Sequence, residues 1–566
     1  MNLNTHKSEI LKLTYRDLLI FLMPLLVFSI YLSIYNPGIL TLDSFNQLHQ
    51  IATNEFTNQQ PFFHTFIEML CIKIFGNTIS IAILQILIFS SMWTAICKYH
   101  RDDDDSNSNT FFIQAVITLV ICLIPINAIY SITLWEDILF CYFLMFLCFL
   151  IKVMLDKNGN VDFKYVILLA LTMSFVSQLN QNGIYVVIPT LIILSVYLFR
   201  KKLSRSMHIF LPALTIMFIL IIMSLNVAYN VEDSQTDYVF VKTAHMLSDY
   251  DLHLNLNDAD KNKIHKMIPE SKINKSYKIY YPDEIGRNAN KQIFDSDRDS
   301  YLGMAASYSM QNPMNFLFYM FKSADIVWDI TRDTDWTGES YYITKDGSNI
   351  ESTKDKYFAS INSTPKESYE DLDDINHGTD RYKSLNSFVN TAKTNIVLDT
   401  LFNSPALYMY LAIILLILMQ VLFKTKKMYL VYLPNLFNII IVFLTIPVQD
   451  NRYLYSNQLV FYLLVIILIS LLLNSKRESA PTSLKTPETY EKIITEGNNK
   501  FENYNDLNEN YEFEDIYLTE DIHAEMPREE INLQTEKTPE ETSSEAEDEL
   551  IAKILKEMEM EKQDKK

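Results

Sequence analysis

Five short stretches concentrate side chains that could do chemistry, and long apolar runs separate them. They are Asp43-Ser44 with Asn46, Gln47 and His49; Gln59-Gln60-Pro61-Phe62-Phe63-His64; Trp135-Glu136-Asp137; Asn180-Gln181-Asn182-Gly183; and Gln449-Asp450-Asn451-Arg452-Tyr453. A carboxylate such as Asp43 can take the proton of an attacking hydroxyl. An arginine such as Arg452 can hold an anion through its forked donors. Each position has a plainer reading beside this one. Asp43 suits a cap for a helix starting at Ser44, Glu136-Asp137 suit the positive end of a helix dipole, and Asn182-Gly183 suit a turn. His64, following Pro61, suits an interfacial histidine. Arg452 is the exception, because a lone cation in a short connection has no such structural default. Other chemistries are not supported. Asp295-Ser296-Asp297-Arg298-Asp299 begins like a calcium loop, but Ser300 replaces the turn glycine and Ala306 the bidentate glutamate. There is no P-loop, GxGxxG, GxSxG or HExxH.

The elements that must position these residues are membrane spans. A bilayer core needs about 20 mostly apolar residues in a helix. The runs 18–35, 79–97, 110–128, 138–155, 165–180, 184–199, 208–226, 406–423, 428–447 and 459–474 read as ten such spans in an all-α polytopic protein. Orientation follows the positive charge. With both termini cytoplasmic, Lys7/Lys12/Arg16, Lys98/Arg101, Lys157/Lys164, Arg200-Lys201-Lys202 with Arg205, Lys424/Lys426/Lys427 and Lys476/Arg477 all fall inside. The five chemistry-bearing stretches then share the outer side, where boundary ionisable groups tend to face a cavity or a partner. His64–Phe75 and Phe316–Phe321, with Trp328 beyond, are too short to span and read as interfacial helices.

The chain therefore divides into a transmembrane module with outer-face loops (1–226), an α-rich extracytoplasmic domain (227–403), C-terminal transmembrane helices (404–475) and an acidic tail (476–566). From Glu478 onward there are 26 acidic and 10 basic residues, so the tail contributes −16 of the net −20. The tail reads as disordered and solvating, with a cytoplasmic binding partner as its other use. The remainder is nearly balanced, which gives no footprint for nucleic acid. Cys71, Cys97, Cys122, Cys141 and Cys148 lie in apolar runs without metal-ligand spacing and read as small hydrophobes.

Taken in order, Asp43-Ser44, Gln60-Pro61-Phe62-Phe63-His64-Thr65, Trp135-Glu136-Asp137 and Asn180-Gln181-Asn182-Gly183 form a pattern. It resembles bacterial membrane glycosyltransferases of the GT-C superfamily, the class that includes protein O-mannosyltransferases and the lipid A aminoarabinose transferase. The likeness spans roughly Asn36 to Gly183 and is nearest to a branch with Asp-Ser…His-Pro-x-x-His-Thr, Trp-Lys-Asp and Arg-x-Asn-Gly loops. This chain departs from that branch at Gln60, Glu136 and Asn180, where His, Lys and Arg would stand. The resemblance implies transfer of a sugar from a polyprenyl-phosphate donor to an envelope glycan, lipid or protein acceptor at the outer face of the plasma membrane. It implies Asp43 as general base, Glu136 or Asp137 as second carboxylate, and His64, Asn182, Lys322 and Arg452 as binding residues. The residues leave a divalent cation open, since either a metal or a guanidinium can stabilise a leaving phosphate. Two other classes stay open: a non-catalytic envelope scaffold, which the departures keep in play, and a glycan transporter, which predicts ionisable groups at mid-depth in the spans.

Overall fold

The computed structural model describes residues 14–101, 108–201, 207–234, 237–331, 380–425 and 427–479. Among them every named element is a helix, and pairing is confined to the isolated bridges Ile39–Thr133 and Thr57–Glu232. From Ala480 onward the acidic tail lies outside the described residues.

The first half comprises α1 (Tyr15–Ile34), α2 (Leu42–Thr53), α3 (Phe62–Phe75), α4 (Ile79–Tyr99), α5 (Ser108–Leu123), α6 (Pro125–Ile132), α7 (Glu136–Asp156), α8 (Phe163–Leu179), α9 (Gly183–Arg200) and α10 (Met207–Ala228). Of these, α1, α4, α7, α9 and α10 are long and apolar enough to cross a membrane. The expected span 110–128 is instead a bent pair: α5 and α6 meet at 72°. Pro125 is the cause. It lacks an N–H to continue the α5 ladder, and it pushes Ile124 into the extended region. The expected span 165–180 is α8, whose 17 residues fall short of a full crossing length although it packs closely on α7 and α10. The centre of the bundle is α7, whose buried face includes Leu144, Met145, Leu147, Cys148 and Ile151.

Eight small helices follow. They are α11 (Tyr238–His253), α12 (Asp258–Met267), α13 (Glu270–Ser276), α14 (Pro282–Asn288), α15 (Lys291–Ser296), α16 (Arg298–Gln311), α17 (Pro313–Ser323) and α18 (Asp325–Trp328). They bury their own core, including Leu247, Tyr250, Ile264, Ile273, Ile285, Phe294 and Tyr301. His245, fully buried, ties α17 to this core. Its Nδ1 lies 2.9 Å from the Tyr319 hydroxyl and its Nε2 3.0 Å from the Lys278 carbonyl. A carbonyl only accepts, so Nε2 carries the proton and Tyr319 donates to Nδ1. Burial pushes the imidazole down to about 3, which keeps it in this neutral, doubly bonded form.

The chain ends with α19 (Asp380–Thr394), α20 (Ile396–Asn403), α21 (Pro405–Phe423), α22 (Met428–Thr445), a 3-10 turn (Asn451–Leu454) and α23 (Tyr455–Ser479). Spanning length and apolarity recur in α21, in α22 and in the stretch from Asn451 to Ser475. In all, eight helices among the described residues can cross a membrane, or nine segments if the bent pair counts as one span. The protein is a multi-pass membrane protein, helical throughout the named elements of its described residues.

Candidate active site

The site begins with a local choice at the N-terminus of α2. Thr41, not Asp43, is the cap, in a reciprocal box with Ser44. The Ser44 hydroxyl also donates to the Leu134 carbonyl at 2.7 Å, and the Trp135 indole N–H donates to the Thr41 hydroxyl at 2.7 Å. Ile39 N–H to Ile132 O (2.8 Å) and Leu134 N–H to Ile39 O (3.1 Å) complete the clasp. A side chain at position 38 would strike this clasp: Gly38 has φ +129°, and a Cβ there would sit 2.8 Å from the Ile132 carbonyl. The clasp fixes Asp43 and the start of α7 side by side and leaves the Asp43 carboxylate free of capping.

That carboxylate meets Arg452. The 3-10 turn before α23, capped by Asp450 on the Arg452 N–H (3.1 Å), delivers the guanidinium. Arg452 Nη1 lies 2.8 Å from Asp43 Oδ2, and Nε lies 3.4 Å from Asp137 Oδ2 and 3.5 Å from Asp450 Oδ2. The Trp135 ring lies 4.6 Å beneath the guanidinium carbon and the Tyr453 ring 5.1 Å from it, a cation–π seat that holds its plane. The remaining stretches supply amides. Gln60 Nε2 donates to Asp43 Oδ1 at 3.3 Å, and Asn180 Nδ2 to Asp137 Oδ1 at 2.6 Å. The Asn182 N–H bonds the Asn180 side-chain oxygen at 2.8 Å. Gly183 lets α8 and α9 approach, since a Cβ there would lie 2.0 Å from the Val176 carbonyl.

These residues wall a cavity of about 550 Å³ at one end of the bundle. Thr41, Asp43, Gln60, Glu136, Asp137, Asn180, Asn182, Asp450, Arg452 and Tyr453 come from the bundle, while Tyr238, Tyr281, Asp283 and Arg287 come from α11, α14 and the connection before α14. The Asp283 N–H bonds the Pro447 carbonyl at 3.0 Å, fastening the inserted helices to the cavity wall. Five carboxylates face two guanidiniums, and Arg287 is already paired with Asp283. Glu136 Oε2 and Asp137 Oδ2 are buried without a hydrogen bond, so the pocket has acceptors in reserve. Burial, with the Asp137 and Glu136 charges adding to it, pushes the Tyr238 phenol up, so it stays a donor.

Two expected binding residues are elsewhere. His64 is fully buried behind the cavity, with Nδ1 3.0 Å from Gln47 Nε2 and 3.7 Å from Glu68 Oε1. Helix α3 starts at once after Pro61, and its phase turns His64 inward along with Thr65 and Glu68. Lys322 does not line the cavity. Its Nζ pairs with Asp325 at 3.1 Å and reaches the Tyr280 hydroxyl at 3.4 Å, and these partners raise its pKa against the opposing effect of burial. Asp43, Glu136, Asp137, Asn182 and Arg452 do come together. Tyr238, Asp283 and Arg287 had no local signal; only their arrival over the cavity marks them. Among the described residues no three His, Cys, Asp or Glu are grouped to hold a metal ion.

Fold and site define a class: a multi-pass helical membrane protein with an acid-rich, arginine-centred cavity at one end of its bundle. No protein family, curated protein or solved structure matches the chain.

Proposed function

We propose that the protein is a GT-C-like membrane glycosyltransferase that moves a sugar from a polyprenyl-phosphate donor to a cell-envelope acceptor. On this reading ten segments cross the plasma membrane, including the bent α5–α6 pair and α8. Both termini are cytoplasmic, and the cavity and inserted helices face outward. The observation that carries the proposal is the convergence of all five chemistry-bearing stretches on one cavity around Arg452, with Asp43 2.8 Å from its guanidinium.

Transfer requires one bond to form and one to break. The acceptor oxygen attacks the anomeric carbon and gives its proton to Asp43. The bond from that carbon to the phosphate oxygen breaks, and the phosphate leaves with the electron pair, its charge met by Arg452. Glu136 or Asp137 supports the oxocarbenium-like centre. Tyr238, Tyr281 and Tyr453 offer apolar ring area beside polar tips, the surface a sugar needs. At rest three carboxylates share Arg452. Asp43 is the most exposed of them, at 31% against 2% for Asp137 and 11% for Asp450. An arriving phosphate therefore displaces Asp43 first, and that displacement frees it to act as base. Donor binding must then precede proton transfer.

The test is transfer of radiolabelled sugar from polyprenyl-phosphate donors to envelope fractions by the purified full chain in nanodiscs. Transfer that saturates with donor supports the proposal. Absence of both transfer and donor binding overturns it. A transporter would need ionisable groups within the spans; the buried Glu68, neither oxygen of which is hydrogen-bonded, lies instead in α3, which is too short to span. Glycan movement across sealed vesicles without bond cleavage would decide for that reading.

A further inference from the structure

The inserted helices carry one feature that their own core does not explain. On α17, Met314, Leu317, Phe318 and Phe321 are exposed at helical spacing, and Met310 on the last turn of α16 extends the stripe. Met314 is 74% exposed and Phe318 62%. The opposite face of the same helix is locked inward through Tyr319 and Ser323, both fully buried. The outward face is therefore held in place, not frayed. A contiguous apolar stripe of this kind marks an interaction surface.

Its position says what covers it. At the C-terminal end of α17 the Phe321 ring packs 5.5 Å from Phe443 of the span α22. The exposed face of α22 continues the apolar surface through Leu444, Ile440 and Leu436. Trp328 donates its indole N–H to the Phe321 carbonyl, and Tyr410 of the span α21 donates its hydroxyl to the Trp328 carbonyl, both at 2.8 Å. Aromatic residues with polar tips gather where a bilayer meets water. A second exposed apolar face, Ile396, Val397 and Leu401 on α20, leads into α21.

We propose that α17 lies in the bilayer surface, its Met314–Phe321 stripe against phospholipid, and that this seat holds the inserted helices over the cavity. The link to the cavity is short. The Gln449 side chain clasps the α17–α18 junction, donating to the Ser323 carbonyl at 2.6 Å and accepting from the Ile326 N–H at 2.9 Å. Its chain neighbours Val448 and Asp450 are cavity wall. The surface of the lipid and the shape of the cavity are thus one residue apart. The inference does not depend on sugar transfer, because a transporter or scaffold would use the same seat.

The test uses single nitroxide labels at Met314→Cys and Phe318→Cys on the full chain, one chain per phosphatidylethanolamine–phosphatidylglycerol nanodisc. The five native cysteines are buried. Lys266→Cys on α12 serves as the aqueous reference and Ile440→Cys on α22 as the lipid reference. The expected result is that labels at 314 and 318 relax with oxygen and are shielded from a water-soluble nickel chelate, matching position 440. Labels at 314 and 318 that match position 266 would overturn the proposal. So would shielding that appears only when two chains share a disc, since a second copy would then be the cover.

Discussion

The two ends of the bundle each hold a buried ion cluster, and they are built on opposite plans. At the start of α1, Asp17 is met by Arg101 and, at 3.6 Å, by Lys98, and it also accepts from the Thr14 N–H (2.9 Å) and hydroxyl (3.0 Å). One acid faces two bases, and its side chain is only 1% exposed. At the other end one base, Arg452, faces three acids beside open volume, with carboxylate oxygens left unbonded. A cluster whose acid is fully met by donors fixes structure, although Arg101 Nη1 keeps no hydrogen bond of its own. An unsatisfied one next to a cavity is where perturbed groups meet a ligand. Burial alone therefore does not separate a structural cluster from a functional one; balance and access do.

The sharpest way to break the comparison is Arg452→Ala. It leaves three carboxylates without their cation and the leaving phosphate without its partner. Transfer should fall by on the order of 10³-fold, with a lowered unfolding temperature in the same preparation. Asp43→Asn should cost transfer about 10²- to 10⁴-fold while leaving thermal stability within about 1 kcal/mol, because Asp43 is the exposed member of the cluster and caps nothing. Asp17→Asn should do the reverse. Breaking a buried pair strands Arg101 and costs about 3 kcal/mol in thermal or denaturant unfolding, yet transfer per folded molecule should stay within about twofold of wild type. Lys322→Ala should likewise leave transfer within about twofold of wild type, since its charge belongs to Asp325.

A pH series sharpens the contrast from the inserted helices. The His245 pKa is about 3 folded against about 6.5 unfolded. The unfolded state therefore binds more protons between these values, and stability rises with pH from about 3 to 6.5. Lys242, pushed down to about 7 by burial, adds a second rise between about 7 and 10.5. Amide protection factors in α11 and α17, with exchange corrected for its intrinsic base catalysis, should fall as pH drops from 7 to 4.5. Protection that is flat across this window would show that His245 is not held neutral.

The helical class and the polar stretches were legible because apolar runs of spanning length, and the residues between them, are local properties. Arg452 stood out by charge alone. The remainder depended on facts that span the chain. Thr41 took the capping role that Asp43 suits locally, because Trp135, some ninety residues on, bonds Thr41. His64 turned inward because α3 begins immediately after Pro61. Pro125 broke a run that hydropathy reads as continuous. Lys322 found Asp325 three residues away, a pairing that the expected binding role overlooked. Tyr238, Asp283 and Arg287 reach the cavity only through the packing of the inserted helices, which no periodicity records.

The most direct measurement is sugar transfer by Asp43→Asn and Asp17→Asn side by side, at equal amounts of folded protein in nanodiscs. Loss of transfer in Asp43→Asn with retention in Asp17→Asn is the predicted result. Equal transfer in the two variants would contradict the assignment of chemistry to the Arg452 end.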